Sequence, residues 1–341
     1  MGRGVYVARA GEARAPLTLV VQGSPCHPLF RTTGAGEKQR LQTTLPAGIE
    51  ELVHTSKRAL HFAVVERPGL RSFDGGDARN EPRRCTEERG GVTKNGRVRD
   101  LVDAALALGD EPWVSGIVLA GHSEGADVVA GAARLLGAAR VLAVGLFAGG
   151  GPTQFYDFLI GARHGTDAGA AQRVFDDLLR FDSFTEATGE YRGHPATRMT
   201  SYGIESTILD DLSAVNVPVF VAQGTADTHV PVESADLLAL ELLRRRPLRA
   251  VRYVMGEGLD HGLCESNGWD HSGALFDDFL TWALGPDHPR SATTWTPPKH
   301  TIVVRYLGVR DVVWAGIAAA VAAAAGLIAS IRRWRSRSRP A

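Results

Sequence analysis

Val114-Ser115-Gly116-Ile117-Val118-Leu119-Ala120-Gly121-His122-Ser123-Glu124-Gly125-Ala126-Asp127-Val128-Val129-Ala130 is the stretch that decides the fold. An apolar run ends abruptly at Gly121. A Gly-x-Ser-x-Gly pentapeptide follows, and small and apolar residues then recur at helical spacing. Strand, tight turn and helix in that order are the context in which a serine stands exposed at the end of a buried strand. Such a turn holds Ser123 in a strained backbone conformation. Glycine is expected at 121 and 125 because a Cβ there would collide with the neighbouring strand or helix. The Glu124 backbone N–H would face an oxyanion close to the helix N-terminus, where the dipole also favours negative charge. The pentapeptide alone is a weak signal in a chain with 39 glycines. A Gly-rich turn with an ordinary capping serine has the same pattern, so the weight lies in the flanking elements and in the partners below.

Outward from this stretch, the pattern alternates between apolar, β-branched runs and amphipathic segments. Gly4 to Arg9 reads as an edge strand and Leu17 to Val21 as a buried one, ending at the turn Gln22-Gly23-Ser24-Pro25. A short helix is expected over Gly48 to Lys57. A second buried strand is expected over Ala59 to Val65, ending at Glu66-Arg67-Pro68-Gly69. Leu70 to Arg97 is a long polar stretch of the kind that is functional or mobile in compact domains. Val98 to Leu108 resumes a helical period, and Arg140 to Ala148 is a further buried strand.

From Thr153 to about Asn216, aromatic and polar residues mix at helical spacing with no strand signal, so a helical cap over the sheet is expected across 153–216. Val217 to Ala222 and Arg249 to Met255 return to strand. Val232 to Arg245 is a helix with basic residues at its C-terminal end, as the macrodipole favours. Ser272 to Leu284 is the closing helix, with Ser272 as its expected N-cap. Strands alternating with helices imply βαβ units and a mostly parallel, doubly wound α/β sheet.

The 341 residues suffice for one large core or two small ones. Lys plus Arg and Asp plus Glu are 38 each, so no electrostatic case exists for a nucleic-acid partner. Cys26, Cys85 and Cys264 cannot form a complete disulfide framework. Cys26 and Cys85 could pair in an oxidising compartment, and reduced thiols are expected otherwise. No zinc-ligand spacing is present, and no metal or cofactor is expected.

A serine is a weak nucleophile until a base takes its proton, and a histidine base needs a carboxylate to orient it. In a doubly wound sheet such groups belong on loops after the carboxyl ends of strands. Gln223-Gly224-Thr225-Ala226-Asp227-Thr228-His229-Val230-Pro231 and Gly256-Glu257-Gly258-Leu259-Asp260-His261-Gly262 both follow apolar strands. They supply Asp227 and His261 in the order Ser, Asp, His. Asp227 could instead close an Asx-turn, and His261 could be a surface histidine. His229 is a rival base, though it lies only two residues from Asp227. The expected oxyanion donors are the backbone N–H groups of Ser24 and Glu124, with Gly23 allowing close approach. Pro25 cannot donate. His122 should flank the site. Phe155 and Phe158 would either wall an apolar pocket or pack a core inside the cap. Cys264 reads as a packing residue.

On Gly121-His122-Ser123-Glu124-Gly125, Gly224-Thr225-Ala226-Asp227 and Asp260-His261-Gly262, the chain resembles the α/β-hydrolase superfamily over residues 5 to 285. The spacing from Asp227 to His261 is similar to that of prolyl-oligopeptidase-like and dienelactone-hydrolase-like members. The resemblance implies an eight-stranded, mostly parallel sheet with a cap. It also implies a serine hydrolase acting on an ester, thioester or amide of a small-molecule acyl compound. The lipase-type His-Gly-Gly-Gly motif and a β-propeller are both lacking, so ester cleavage is expected ahead of peptide cleavage. An acyltransferase using the same residues, or a binding protein of the same fold without turnover, are the alternatives.

Pro286, Pro289, Pro297 and Pro298 mark 286–311 as a linker. Val312 to Ile331 carries no charge, and its length of about 20 residues matches a hydrocarbon core. Trp314 and Trp334 lie near its ends, and a basic tail fills 332–341. A C-terminal membrane-spanning helix in contact with lipid is therefore expected. The Arg-rich tail places the catalytic domain outside the cytoplasm. The lack of a signal-peptide pattern in Met1 to Ala15 favours the cytoplasmic side instead.

Overall fold

A computed structural model of the chain describes residues 5–9, 13–24, 29–33, 40–43, 60–67, 93–181, 190–191, 194–245 and 249–297. The chain begins with β1 (Val5–Arg9), β2 (Ala15–Val21), β3 (Phe30–Thr33), β4 (Arg40–Thr43) and β5 (His61–Val65). Then come α1 (Lys94–Gly109), β6 (Val114–His122), α2 (Glu124–Leu136) and β7 (Val141–Phe147). Next are α3 (Gln154–His164), α4 (Ala170–Phe181), β8 (Glu190–Tyr191), β9 (His194–Pro195), α5 (Ala196–Gly203) and α6 (Ile208–Ala214). The last described elements are β10 (Val219–Gly224), α7 (Val232–Arg245), β11 (Val251–Gly256), α8 (Ser272–Ala283) and β12 (Ser291–Trp295).

Eight strands form one sheet in the order β1-β5-β2-β6-β7-β10-β11-β12. Only the β1–β5 pair is antiparallel. Helices cover both faces, so the central strands are mostly apolar, and every residue of β10 is buried. Successive side chains alternate between the faces. Leu119 packs with Val129 of α2 and Leu238 of α7 on one side. Val118 and Ala120 pack with Phe276 and Phe279 of α8 on the other. The crossover from β2 runs to β5, and the next runs back past β2 to β6. The strand order therefore reverses between β2 and β6. Loops leaving the carboxyl ends of two such strands border a crevice; here those loops carry Gln22-Gly23-Ser24 and Ser123.

Several expectations are corrected. α1 starts at Lys94, earlier than the Val98 where its apolar period begins, because buried Lys94 and Arg97 occupy inward positions of its first turn. The side chain of Thr93 caps it, accepting from the Gly96 N–H at 3.2 Å. Residues 291–295, placed inside a linker by their prolines, form β12, and the compact unit runs to Thr296. The N-cap of α8 is His271 rather than Ser272. The Asp270 carboxylate accepts from the Ser272 N–H at 2.8 Å, and the Ser272 hydroxyl has no partner among the described residues. Within 153–216, β8 and β9 pair antiparallel, as two-residue strands too short to leave an alternating pattern. α6 contributes Ile208, Leu209 and Leu212 to the same apolar layer as α2 and α7. Phe155, Val174 and Met199 make a small core of their own among α3, α4 and α5.

The helix expected at 48–57, Cys26, Cys85, the segment 312–331 and the basic tail lie outside the described residues. No helix among the described residues is long and apolar enough to cross a membrane.

Candidate active site

Ser123 has φ 55° and ψ −127°, a left-handed conformation that a non-glycine residue adopts only at a cost of about 1–3 kcal/mol. Packing enforces it. A Cβ on Gly121 would lie 2.2 Å from the Gly125 carbonyl oxygen, and one on Gly125 would lie 2.3 Å from the Val21 carbonyl oxygen. Helix α2 is thus pressed against β2 and β6 at the two glycines, and the turn between them has no room to relax. The Ser123 N–H donates to the Phe147 carbonyl at 2.8 Å, which ties the turn to the end of β7.

Three side chains from three strand ends form one hydrogen-bonded chain. His261 Nε2 lies 2.9 Å from Ser123 Oγ, and His261 Nδ1 lies 2.8 Å from Asp227 Oδ2. A carboxylate can only accept, so Nδ1 carries the proton and Nε2 is left to receive the one on Ser123. Asp227 also accepts from Gln223 Nε2 at 2.9 Å and from the N–H groups of His229 and Val230 at 2.8 and 3.0 Å. Burial alone would raise its pKa. The hydrogen bonds from His261 and the two backbone N–H groups outweigh burial and hold it below the usual carboxylate value.

Gly23 closes on the serine. A Cβ there would meet Ser123 Cβ at 2.9 Å, and Ser24, Ser123 and Glu124 line one cleft of about 200 Å³. The Glu124 side chain is unlike anything its backbone role suggests. It is buried among three arginines, 3.2 Å from Arg97, 3.9 Å from Arg67 and paired with Arg198. Burial opposes its charge, but Arg198, Arg67 and Arg97 prevail and lower its pKa to about 2. Two of these arginines also bind the loop after β2: Arg97 Nη2 donates to the Gln22 carbonyl at 2.6 Å, and Arg67 donates to the Gly23 carbonyl. One carboxylate therefore links the elbow, the loop after β2 and helix α5.

The remaining expected residues are placed differently from one another. His122 does not line the cleft. Its Nε2–H donates to the His261 carbonyl at 2.8 Å, so it braces the loop that carries His261. Burial first, and then the nearby His261, lower its pKa to about 4, so it stays a neutral donor. Phe155 is also absent from the cleft wall. It is buried against Gly203 and Phe158 in the small core of the cap. Phe158 does line the cleft, with Val230 as the other apolar side chain. His229 lines it too, its ring 4.9 Å from that of His261. Cys264 is a free thiol whose pKa is pushed up to about 11, by burial first and then by Asp270 and Asp260, so it is a poor nucleophile.

Four polar side chains, Asp127, Gln154, Asp157 and Arg198, line the cleft beside Gly150. Sequence patterning missed these four because each lies in a helix where polar residues ordinarily face solvent. The position of Asp127, one helical turn past Ser123, was the available signal. Asp227, His229 and His261 offer ligand atoms within 4.8 Å of one another, a set that could hold a divalent cation, but Asp227 and His261 are engaged in the chain to Ser123.

No protein-family model matches the sequence, and no curated protein matches it. Solved structures do resemble it. Est1E from Butyrivibrio proteoclasticus superposes with a TM-score of 0.50 at 14% identity, over 82% of this chain and 93% of that one. A puromycin-hydrolyzing peptidase of Mycobacterium tuberculosis gives 0.51 at 20% identity, over 86% of this chain and 39% of that one. An acylaminoacyl peptidase of Pyrococcus horikoshii gives 0.51 at 16% identity, over 84% and 40%. This chain therefore spans about two fifths of either peptidase. At these identities the likeness establishes architecture: the chain has the α/β-hydrolase fold.

Proposed function

We propose that the protein is a serine hydrolase that cleaves a carboxylic ester, thioester or amide through an acyl-enzyme on Ser123. The observation that carries the reading is the continuous chain from Ser123 Oγ through His261 to Asp227, at 2.9 and 2.8 Å. A base oriented by a buried carboxylate, and itself touching a hydroxyl at the end of a strand, is the arrangement that activates serine.

Ser123 Oγ attacks the substrate carbonyl carbon as its proton passes to His261 Nε2. Asp227 keeps the imidazole oriented and stabilises the imidazolium that forms. The backbone N–H groups of Glu124 and Ser24 receive the oxyanion. The two flank Ser123 along the same cleft, and Glu124 opens α2, where the helix dipole adds to the stabilisation. His261 then protonates the leaving group, the acyl-enzyme forms, and a water deprotonated by His261 releases the acid. Phe158 and Val230 offer the cleft an apolar surface, and Asp127, Gln154, Asp157 and Arg198 add polar groups to it, so the cleft suits an acyl compound that carries both apolar and polar parts.

Hydrolysis of 4-nitrophenyl esters by the full chain tests this. Ser123→Ala and His261→Ala should each lower kcat/KM by about 10³-fold or more, and the double variant should lose little beyond either alone, because the residues act as a unit. Wild-type turnover by Ser123→Ala would remove the mechanism.

A further inference from the structure

Asp127 stands one turn beyond Ser123 on α2 and lines the same cleft, at 9% exposure. Nearby Asp211 pairs with Lys94 at 2.7 Å, and Glu124 holds its arginines. Among the described residues, none donates a hydrogen bond to the Asp127 carboxyl, and the residue, nine-tenths buried, lines the cleft. Asp157 of α3 lines the cleft as well. Its Oδ1 accepts from the Ser234 hydroxyl, and its other oxygen lies where a Cβ on Gly150 would approach to 2.7 Å.

An unpaired carboxyl held out of water costs stability, and burial raises both groups. Asp127 is raised to about 7, by burial first. Lys94 on α1 and Arg198 on α5 pull it down, and Glu124 on its own helix and Asp211 on α6 push it up. Asp157 is raised well above the usual range, chiefly by burial, with Asp127 adding to it. The cations within reach are already committed: Lys94 to Asp211 and the Ser206 carbonyl, Arg198 to Glu124 and the Met199 sulfur. The cleft thus offers free acceptors and few free cationic donors.

We propose that Asp127, with Asp157 on the same wall, forms a subsite for an alkylammonium group on the substrate. This deepens the reading of Ser123 as nucleophile and rests on it. The cation pairs with the Asp127 carboxylate one helical turn from the attacked carbonyl, and its methylene stem lies along Phe158 and Val230. The carboxyl proton goes to water as the pair forms, so affinity rises with pH through about 7.

Two measurements on the full chain test this independently. The first is binding of n-butylammonium chloride, read as a thermal shift at pH 8 against n-butanol with sodium chloride at equal ionic strength. The ammonium should stabilise the wild type, and Asp127→Asn should lose that shift. The second is the ratio of kcat/KM for 4-nitrophenyl 6-aminohexanoate to that for 4-nitrophenyl heptanoate. The ratio should exceed one in the wild type and fall by about tenfold in Asp127→Asn. A purely structural role for Asp127 would move both esters together and leave the ratio alone. No ammonium shift, an equal shift in Asp127→Asn, or an unchanged ratio overturns the subsite, as does stabilisation by calcium chloride alone. Failure of both esters with the Asp127-dependent ammonium shift retained overturns the nucleophile reading and supports the subsite.

Discussion

Arg97 reaches Glu124 with Nη1 at 3.2 Å, while its Nη2 holds the Gln22 carbonyl at 2.6 Å. The guanidinium thus couples the residue after Ser123 to the loop that closes on it from β2. Both groups are buried, so the pairing is little screened by water. The loop that carries Ser24 and the turn that carries Glu124, the two expected oxyanion donors, are in this way tied together by side chains.

Removing the carboxylate from this cluster leaves three buried guanidiniums without their shared counter-charge. Glu124→Gln should therefore cost about 3–5 kcal/mol, the scale for breaking a buried pair from one side. Thermal melts at pH 7 check this. The Glu124 pKa is lowered from 4.5 to about 2 in the folded protein. Its contribution is then fully present above about 4.5 and is lost as the pH falls towards 2. The stability gap between wild type and Glu124→Gln should narrow over that acid window.

Strain at Ser123 gives a second expectation. Both Ser123→Ala and Ser123→Gly remove the hydroxyl, but only glycine is at ease with φ 55°. The glycine variant should be the more stable of the two by about 1 kcal/mol, read from denaturant midpoints. Equal stabilities would mean that the turn carries no strain.

Asp127 is predicted to cost stability at neutral and higher pH. Its pKa is raised from 3.8 to about 7, so the folded state binds the proton more tightly than the unfolded one. Stability then falls as pH rises from about 4 to 7, and the full cost stands above that. Asp127→Asn should raise Tm by a few degrees at pH 8 and change it little at pH 3.5, measured by scanning calorimetry.

We propose a membrane tether at Val312 to Ile331 from the uncharged run and its flanking tryptophans and arginines. The full chain should float with anionic lipid vesicles in a density gradient, and a chain ending at Thr296 should stay at the bottom. Equal behaviour of the two would remove the tether.

The elbow and the meeting of Ser123, Asp227 and His261 are legible in the sequence for a physical reason. Each residue sits on the turn or loop that follows an apolar run, and a parallel sheet brings such loops to one rim. The arginine cluster is not legible, because Arg67, Arg97 and Arg198 lie in separate polar stretches and meet only in three dimensions. β12 escapes notice because it is short, mostly exposed and follows prolines. His122 and Phe155 show the limit of position as a guide. Adjacent to the site in sequence, they turn to the His261 loop and to the cap core.

The most direct test is covalent. The full chain is treated with a fluorophosphonate and the modified peptide is identified by mass spectrometry. A single adduct on Ser123, slowed by at least about 10³-fold in His261→Ala, is the predicted result. An unlabelled Ser123 in folded protein, or labelling that is indifferent to His261, would contradict the account.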